Sequence, residues 1–203
     1  GMRGVLVAAC VCTWAARLGR FLFARIERDG VDHRFDGLRE RADRFLIPWT
    51  LQGMWVALIT LASVVIISHP NATTGLGLMD GVGLGLWLFG FVIEVVSDRQ
   101  KTLFRADPAN KDAFITSGLW SRSRHPNYFG EITLWSGLFV VGVPFFEGAQ
   151  WLALLSPVFT AFLLTRVSGI PMLEARAEER WGHLDAYRAY VDKTPALIPR
   201  LRP

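Results

Sequence analysis

The sequence predicts an all-α, polytopic membrane bundle. Hydrophobic residues make up 51% of its 203 positions, and the mean hydropathy is +0.29. The apolar residues are gathered into five blocks that approach the ~20 residues a helix needs to cross roughly 30 Å of hydrocarbon. The basic residues fall in alternate connections, as they do where one membrane face collects Lys and Arg.

The first span runs from about Gly4 to Ile26, its apolar opening giving way to Arg17, Arg20 and Arg25. Phe45 to Ser68 is the cleanest span, and Gly75 to Val96 forms the third. Tyr128 to Val143 is short for a fourth, and Trp151 to Leu173 forms the fifth with Arg166 inside it. After Pro171, the segment Glu174 to Val191 mixes charge with Trp181, Leu184, Tyr187 and Tyr190, the pattern of an amphipathic helix along the membrane surface or across the mouth of the bundle. Leu197, Ile198 and Pro199 then turn the tail back toward the apolar face.

The connections Glu27 to Arg44, Asp98 to His125 and Glu174 to Pro203 hold nearly all the basic residues, whereas His69 to Asp80 and Pro144 to Gln150 hold none. The basic segments therefore share one face, which the positive-inside rule makes cytoplasmic. The same asymmetry explains a formal charge of +4 without any nucleic-acid partner. With no repeat, low-complexity tract or flexible linker, residues 1–203 read as one membrane-embedded domain.

Several motifs carry little. The glycines from Gly75 to Gly90 lack the preceding strand of a dinucleotide fingerprint and fit close helix packing instead. Cys10 and Cys12 point to different sides of a helix, and His33, His69 and His183 have no metal-ligand spacing, so neither a disulfide nor a metal site is expected.

Chemistry is expected where ionisable groups enter the spans, because they are costly there unless paired or wetted. Glu94, Ser97, Asp98, Lys101 and Arg105 recur at three- and four-residue steps, forming one helical stripe that runs out of the membrane. Asn127 and Glu131 share a face one turn apart, just after Arg124, His125 and Pro126, and Pro126 suits the first turn of a helix. An Asn side chain donates and accepts at once, as recognition of an amide or ribose requires. Glu131 reads either as a site residue or as the structural partner of Arg17 or Arg166. Convergence of Arg17, Arg20, Arg105, Lys111, Arg124 and Arg166 at the cytoplasmic end would give a phosphate-binding site beside apolar helices. His125 is open between proton transfer, loop capping and phosphate contact.

The stretch Ser123-Arg124-His125-Pro126-Asn127-Tyr128-Phe129-Gly130-Glu131 resembles the signature of the steroid 5α-reductase-like membrane family, in its bacterial branch long labelled a domain of unknown function. Trp14-Ala15-Ala16-Arg17-Leu18, Ser97-Asp98 with Arg105, and Gly118-Leu119 resemble other family segments at matching separations. The resemblance implies NADPH entering from the cytoplasmic side and passing a hydride to the β-carbon of a steroid- or sterol-like enone in a lipid-accessible cavity, here in a bacterial inner membrane. It implies cofactor contacts at Asn127, Glu131, Ser97, Asp98, Arg105, Arg17 and Arg166, with Tyr187 and Tyr190 added from the C-terminal helix; Glu94, Lys101, Arg124, His125 and Tyr128 stand beside them as cofactor candidates by their own position. Three departures accompany it. Glu94 stands where the family has a cofactor-binding Asn. Trp14 aligns with a Tyr that polarises the substrate carbonyl, and an indole N–H is no proton source. The acidic partner of that Tyr lies on helices that precede this sequence, so either the chain is part of a seven-span fold or the proton donor differs. The catalytic group is left open among Trp14, Tyr128 and Glu131.

Two rival classes remain. Membrane methyltransferases of the isoprenylcysteine or phospholipid type share an Arg-His-Pro-x-Tyr-x-Gly signature, but S-adenosylmethionine has no phosphate to meet Lys101 and Arg105. A scaffold or transporter should distribute charge across the bilayer rather than at one face.

Overall fold

The computed structural model describes residues 1–29, 42–69 and 75–200. Among these there is no strand, and the helices are α1 (Met2–Asp29), α2 (Ala42–Ser68), α3 (Leu78–Ala106), α4 (Pro126–Gly142), α5 (Leu155–Phe162), α6 (Ile170–Trp181) and α7 (Asp185–Lys193). Five stretches are long and apolar enough to cross a membrane: Met2–Ala24, Pro48–Ser68, Leu78–Ala106, Pro126–Phe145 and Gly148–Trp181. The protein is an integral, multi-pass membrane protein. Its lipid-facing surface is correspondingly apolar, with Leu88, Phe89 and Val92 of α3 all about half exposed.

The core is built around α3 and α4, which run antiparallel in extended contact. Glycines bring them together at two crossings seven residues apart on each helix, Gly83 against Gly137 and Gly90 against Gly130. Gly75, Gly81 and Gly85 have no heavy atom within 4 Å of a would-be Cβ, so the packing role expected of the glycine-rich third span falls on two of its glycines. Around this pair Trp14, Ile59, Ile66, Leu134, Trp135 and Leu138 form the buried apolar layer. Trp14 meets Trp135 edge-on at 5.0 Å and Trp55 at 6.0 Å between centroids.

α1 runs parallel to α3 and is pinned to it at both ends. Near one face Arg3 donates to Asp80 at 2.6 and 2.9 Å and to the Gly75 carbonyl at 3.0 Å, with its guanidinium 5.0 Å from the Phe145 ring. Near the other face Arg17 donates to Glu94 and to Asp98. Arg3 is 6% exposed, so a basic residue lies on the face where sequence reading placed none of the basic loops, and burial against Asp80 explains why it is tolerated.

The fourth span is fuller than expected, since α4 starts at Pro126 and the apolar run extends to Phe145. The fifth is not one regular helix. A 3₁₀ stretch at Gly148–Leu154 leads into α5, a π-helical turn at Leu163–Val167 follows, and the chain restarts at Ile170. Pro171 in the first turn of α6 cannot donate to the preceding turn, which permits the break at Ser168–Gly169. The expected C-terminal amphipathic helix is likewise two helices, α6 and α7. The Gly182 N–H closes α6 on the Glu178 carbonyl at 2.8 Å, where a Cβ would lie 2.5 Å from that oxygen. The tail does not turn toward an apolar face but returns onto the loop ahead of α4, where Arg200 N–H donates to the Arg122 carbonyl at 3.0 Å and the Ser123 hydroxyl to that of Leu197 at 2.8 Å, leaving Ile198 exposed.

Candidate functional site

One end of the bundle gathers the C-terminus of α3, the loop 107–125, the start of α4 and the pair α6–α7. The α3 stripe expected from spacing exists, but its members have different environments. Glu94 is 4% exposed and Ser97 fully buried. Arg17 joins Glu94 and Asp98 into a three-residue ion cluster between α1 and α3. Asn127 reaches Asp98 from α4, and Glu131 of α4 lies within electrostatic reach of Glu94, Asp98 and Arg17. Glu131 therefore faces Arg17 rather than Arg166. Two polar atoms here are buried without a hydrogen-bond partner among the described residues, Glu94 Oε2 and Asn127 Oδ1. Such atoms are costly to leave unpaired, which marks the place as one where a polar ligand group belongs.

Ser97 spends its hydroxyl within the helix, donating to the Ile93 and Glu94 carbonyls at 2.5 and 3.1 Å, while its own carbonyl accepts the Trp120 indole N–H at 3.0 Å. It locks the loop to α3. Trp14, one turn from Arg17, lies in the apolar layer below the ion cluster, its indole N–H unpartnered among the described residues.

Beyond the cluster lies a cavity of about 250 Å³. Five basic side chains line it, Lys101, Arg105, Arg124, Arg176 and Arg180, against one carboxylate, Glu174. Its walls are aromatic, and cations lie on the rings: Lys101 4.7 Å from the Trp120 centroid, Arg105 and Arg180 5.4 and 5.0 Å from that of Trp181. Phe114 packs edge-on against Tyr187 at 5.2 Å and lies 5.7 Å from Tyr190. Sequence reading missed Phe114, Trp120, Arg176 and Arg180 as lining residues. The signal was present for the last two, since Arg176 and Arg180 share a face of α6 at a four-residue step.

The residues of the Arg-His-Pro motif serve largely as struts. Arg124 donates to Glu174 at 2.7 Å and to the Val191 and Thr194 carbonyls at 2.8 and 2.9 Å, tying α6 and α7 to the start of α4. His125 Nε2 lies 3.2 Å from Glu174, while Nδ1 is buried and unpartnered among the described residues. Burial pushes the His125 imidazole down to about 4, against the Glu174 contact that favours its charged form. The ring is neutral at pH 7 and stacks on Tyr128 at 5.5 Å. Tyr190 donates to the Trp120 carbonyl at 2.7 Å, and burial lifts its phenol to about 12; Tyr187 is raised for the same reason, helped by Glu174 and Glu178.

The expected convergence of basic residues is divided in three. Arg105 and Arg124 line the cation-rich cavity, and Arg17 and Arg20 line a separate recess between α1 and α3. Arg166 and Lys111 are exposed and line neither. Among the described residues no group of His, Cys, Asp or Glu is placed to hold a metal ion.

Comparison with known proteins gives the same frame. The family DUF1295, described as a protein of unknown function, matches residues 1–194. An uncharacterised protein of Schizosaccharomyces pombe is 24% identical over 229 residues, covering 98% of this chain and 64% of that protein. The 3-oxo-5-alpha-steroid 4-dehydrogenase 1 of Mus musculus is 29% identical over 135 residues, covering 66% of this chain and 44% of the relative, and that of Rattus norvegicus is 28% identical over 133 residues, covering 66% and 43%. The chain thus spans just under two thirds of the yeast protein and less than half of the rodent enzymes. No solved structure matches. With nearly its whole length matched and its Asn-containing signature opening α4 beside the buried ion cluster, the chain belongs to DUF1295, a steroid 5α-reductase-like membrane family.

Proposed function

We propose that the protein is an NADPH-dependent reductase that transfers a hydride to the C=C of an apolar, steroid- or sterol-like enone within the membrane. The observation that carries this reading is the nearness of two unlike features: a cavity with five basic side chains and aromatic walls and, between the helices beside it, the unpartnered buried polar atoms of Asn127 and Glu94. A phosphorylated dinucleotide has both kinds of group. Lys101, Arg105 and Arg176 would hold its phosphates by charge-assisted hydrogen bonds, while Arg180 is tied to Asp112 and the Lys111 carbonyl, and Phe114 and Trp181 offer ring faces. Asn127 would present its free Oδ1 to an amide N–H of the ligand while its own amide N–H donates to Asp98, so the carboxylate orients the Asn127 side chain. When bound, NADPH supplies the hydride. The apolar layer of Trp14, Trp55 and Trp135 beneath the ion cluster excludes water and suits a lipophilic substrate.

Arg17, Glu94 and Asp98 act in this reading as the frame of the site, since Arg17 is committed to two carboxylates and is not free for a phosphate. The cofactor side is the cytoplasmic one, in keeping with the basic loops.

Replacing Asn127 by Ala should weaken NADPH binding by about one to two decades, the cost of leaving roughly 1–3 kcal/mol of polar groups unpaired. Titration calorimetry of the purified protein in detergent measures this, with S-adenosylmethionine as the comparison ligand. Heat stabilisation by S-adenosylmethionine and not by NADPH would transfer the protein to the methyltransferase class.

A further inference from the structure

The same end of the bundle carries a second recess, of about 560 Å³, between the parallel helices α1 and α3. Each wall is a helical stripe with four-residue steps: Ala16, Arg20 and Ala24 on α1, Val95, Arg99 and Leu103 on α3. Each stripe is thus apolar, cationic, apolar, and the two arginines share one recess.

Its charge is unbalanced. Arg17 and Asp98 also line it, but they are bonded to each other, and Asp98 draws further on Lys101. Arg20 and Arg99 have no carboxylate partner among the described residues. Two guanidinium groups facing one recess without an anion repel each other, so the complement of this surface is an anion. Its depth in the bilayer follows from the helices, whose apolar runs end at Ala24 and Ala106, within a turn or two of both arginines. The walls are lipid-facing apolar surface, with Leu103 62% exposed. A soluble anion would leave those walls bare, and a neutral amphiphile would leave the arginines unpaired.

We propose that this recess is a binding site for an anionic phospholipid of the adjoining leaflet, its phosphate between Arg20 and Arg99 and an acyl chain against the alanine and Val95–Leu103 stripes. The proposal rests on the membrane-spanning arrangement and not on the reductase reading. It gives the lipid a structural task. α1 and α3 are otherwise pinned through Arg3–Asp80 and Arg17, and a phosphate bridging Arg20 to Arg99 adds a third tie on the cytoplasmic side of the ion cluster.

The test uses the purified full chain in detergent, titrated with phosphatidylglycerol, phosphatidylcholine or inorganic phosphate, with native mass spectrometry reading bound lipid and thermal unfolding reading stabilisation. Phosphatidylglycerol should be retained and should raise the unfolding midpoint, while phosphatidylcholine and inorganic phosphate should do neither. At about five-fold per basic residue near an anionic headgroup, the double variant Arg20→Gln/Arg99→Gln should bind phosphatidylglycerol roughly 30-fold more weakly. Arg20→Lys/Arg99→Lys should keep most of the affinity, and Lys193→Gln, which removes an exposed cation that lines neither the recess nor the cation-rich cavity, should leave it unchanged. Equal retention of phosphatidylcholine, equal stabilisation by inorganic phosphate, or an equal loss from Lys193→Gln would overturn the proposal. So would undiminished phosphatidylglycerol binding by the double glutamine variant. Because NADPH binding is measured separately, its presence or absence leaves this outcome readable.

Discussion

Gly90→Ala is the substitution on which the architecture can be tested most directly. A Cβ at Gly90 would lie 2.5 Å from the Gly130 carbonyl oxygen and 2.6 Å from the Leu134 backbone nitrogen, where ordinary contact begins near 3.4 Å. Both obstacles are backbone, so no side chain can rotate away, and the helices must part locally by about 0.9 Å. Overpacking of this kind costs about 1–3 kcal/mol, or several degrees in unfolding midpoint at roughly 2–4 °C per kcal/mol for a chain of this size. One turn beyond Gly90, Glu94 contacts Gly130 through its own backbone, so the separation also reaches the ion cluster. The control is Gly85→Ala, on the same helix with nothing within 4 Å of the new Cβ, which should be neutral or stabilising by up to about 1 kcal/mol. Thermal unfolding in detergent compares the two. If Gly90→Ala unfolds at the temperature of Gly85→Ala, the close crossing of α3 and α4 is refuted.

Arg17→Gln leaves two buried carboxylates without their guanidinium, and should cost about 3–5 kcal/mol; thermal unfolding should show a far larger loss than for the exposed Arg176→Gln. For His125, burial holds the folded-state value at about 4, below the ordinary 6.5, so its neutral form contributes stability that is complete above pH 6.5 and lost as pH falls toward 4. That loss amounts to roughly 3 kcal/mol, and a His125→Asn variant should show a flatter stability profile over the same window. Reporters fused at Lys111 and at Glu147 should fall on opposite sides of the membrane, the Lys111 side being cytoplasmic; a shared compartment would contradict the order of spans.

The resemblance carried by the Arg-His-Pro-Asn stretch pointed to the right family, and helical spacing placed Glu94 through Arg105 on one stripe. Sequence could not distinguish the duties of these residues. Arg17 and Arg105 are alike as letters, yet one is bound to Glu94 and Asp98 while the other lies over Trp181 at the mouth of a cavity. Arg124 is a candidate ligand contact in the sequence and His125 is open between proton transfer, loop capping and phosphate contact; the structure adds that both meet Glu174, a partner from a helix fifty residues later, while lining the cavity.

What the sequence by itself determined is whatever the bilayer enforces locally. Long apolar runs must become helices, since every backbone polar group in hydrocarbon has to be bonded within its own segment, and basic connections must gather on one face. Tertiary structure alone decided the pairings. The burial of Arg3 on Asp80, the ion cluster of Arg17 with Glu94 and Asp98, and the separation of the basic residues into cavity, recess and open surface depend on which helix lies opposite which. Glycine approaches of α3 and α4 fix that arrangement. Contact energies between segments far apart in the chain set it, and no local pattern of hydropathy encodes them.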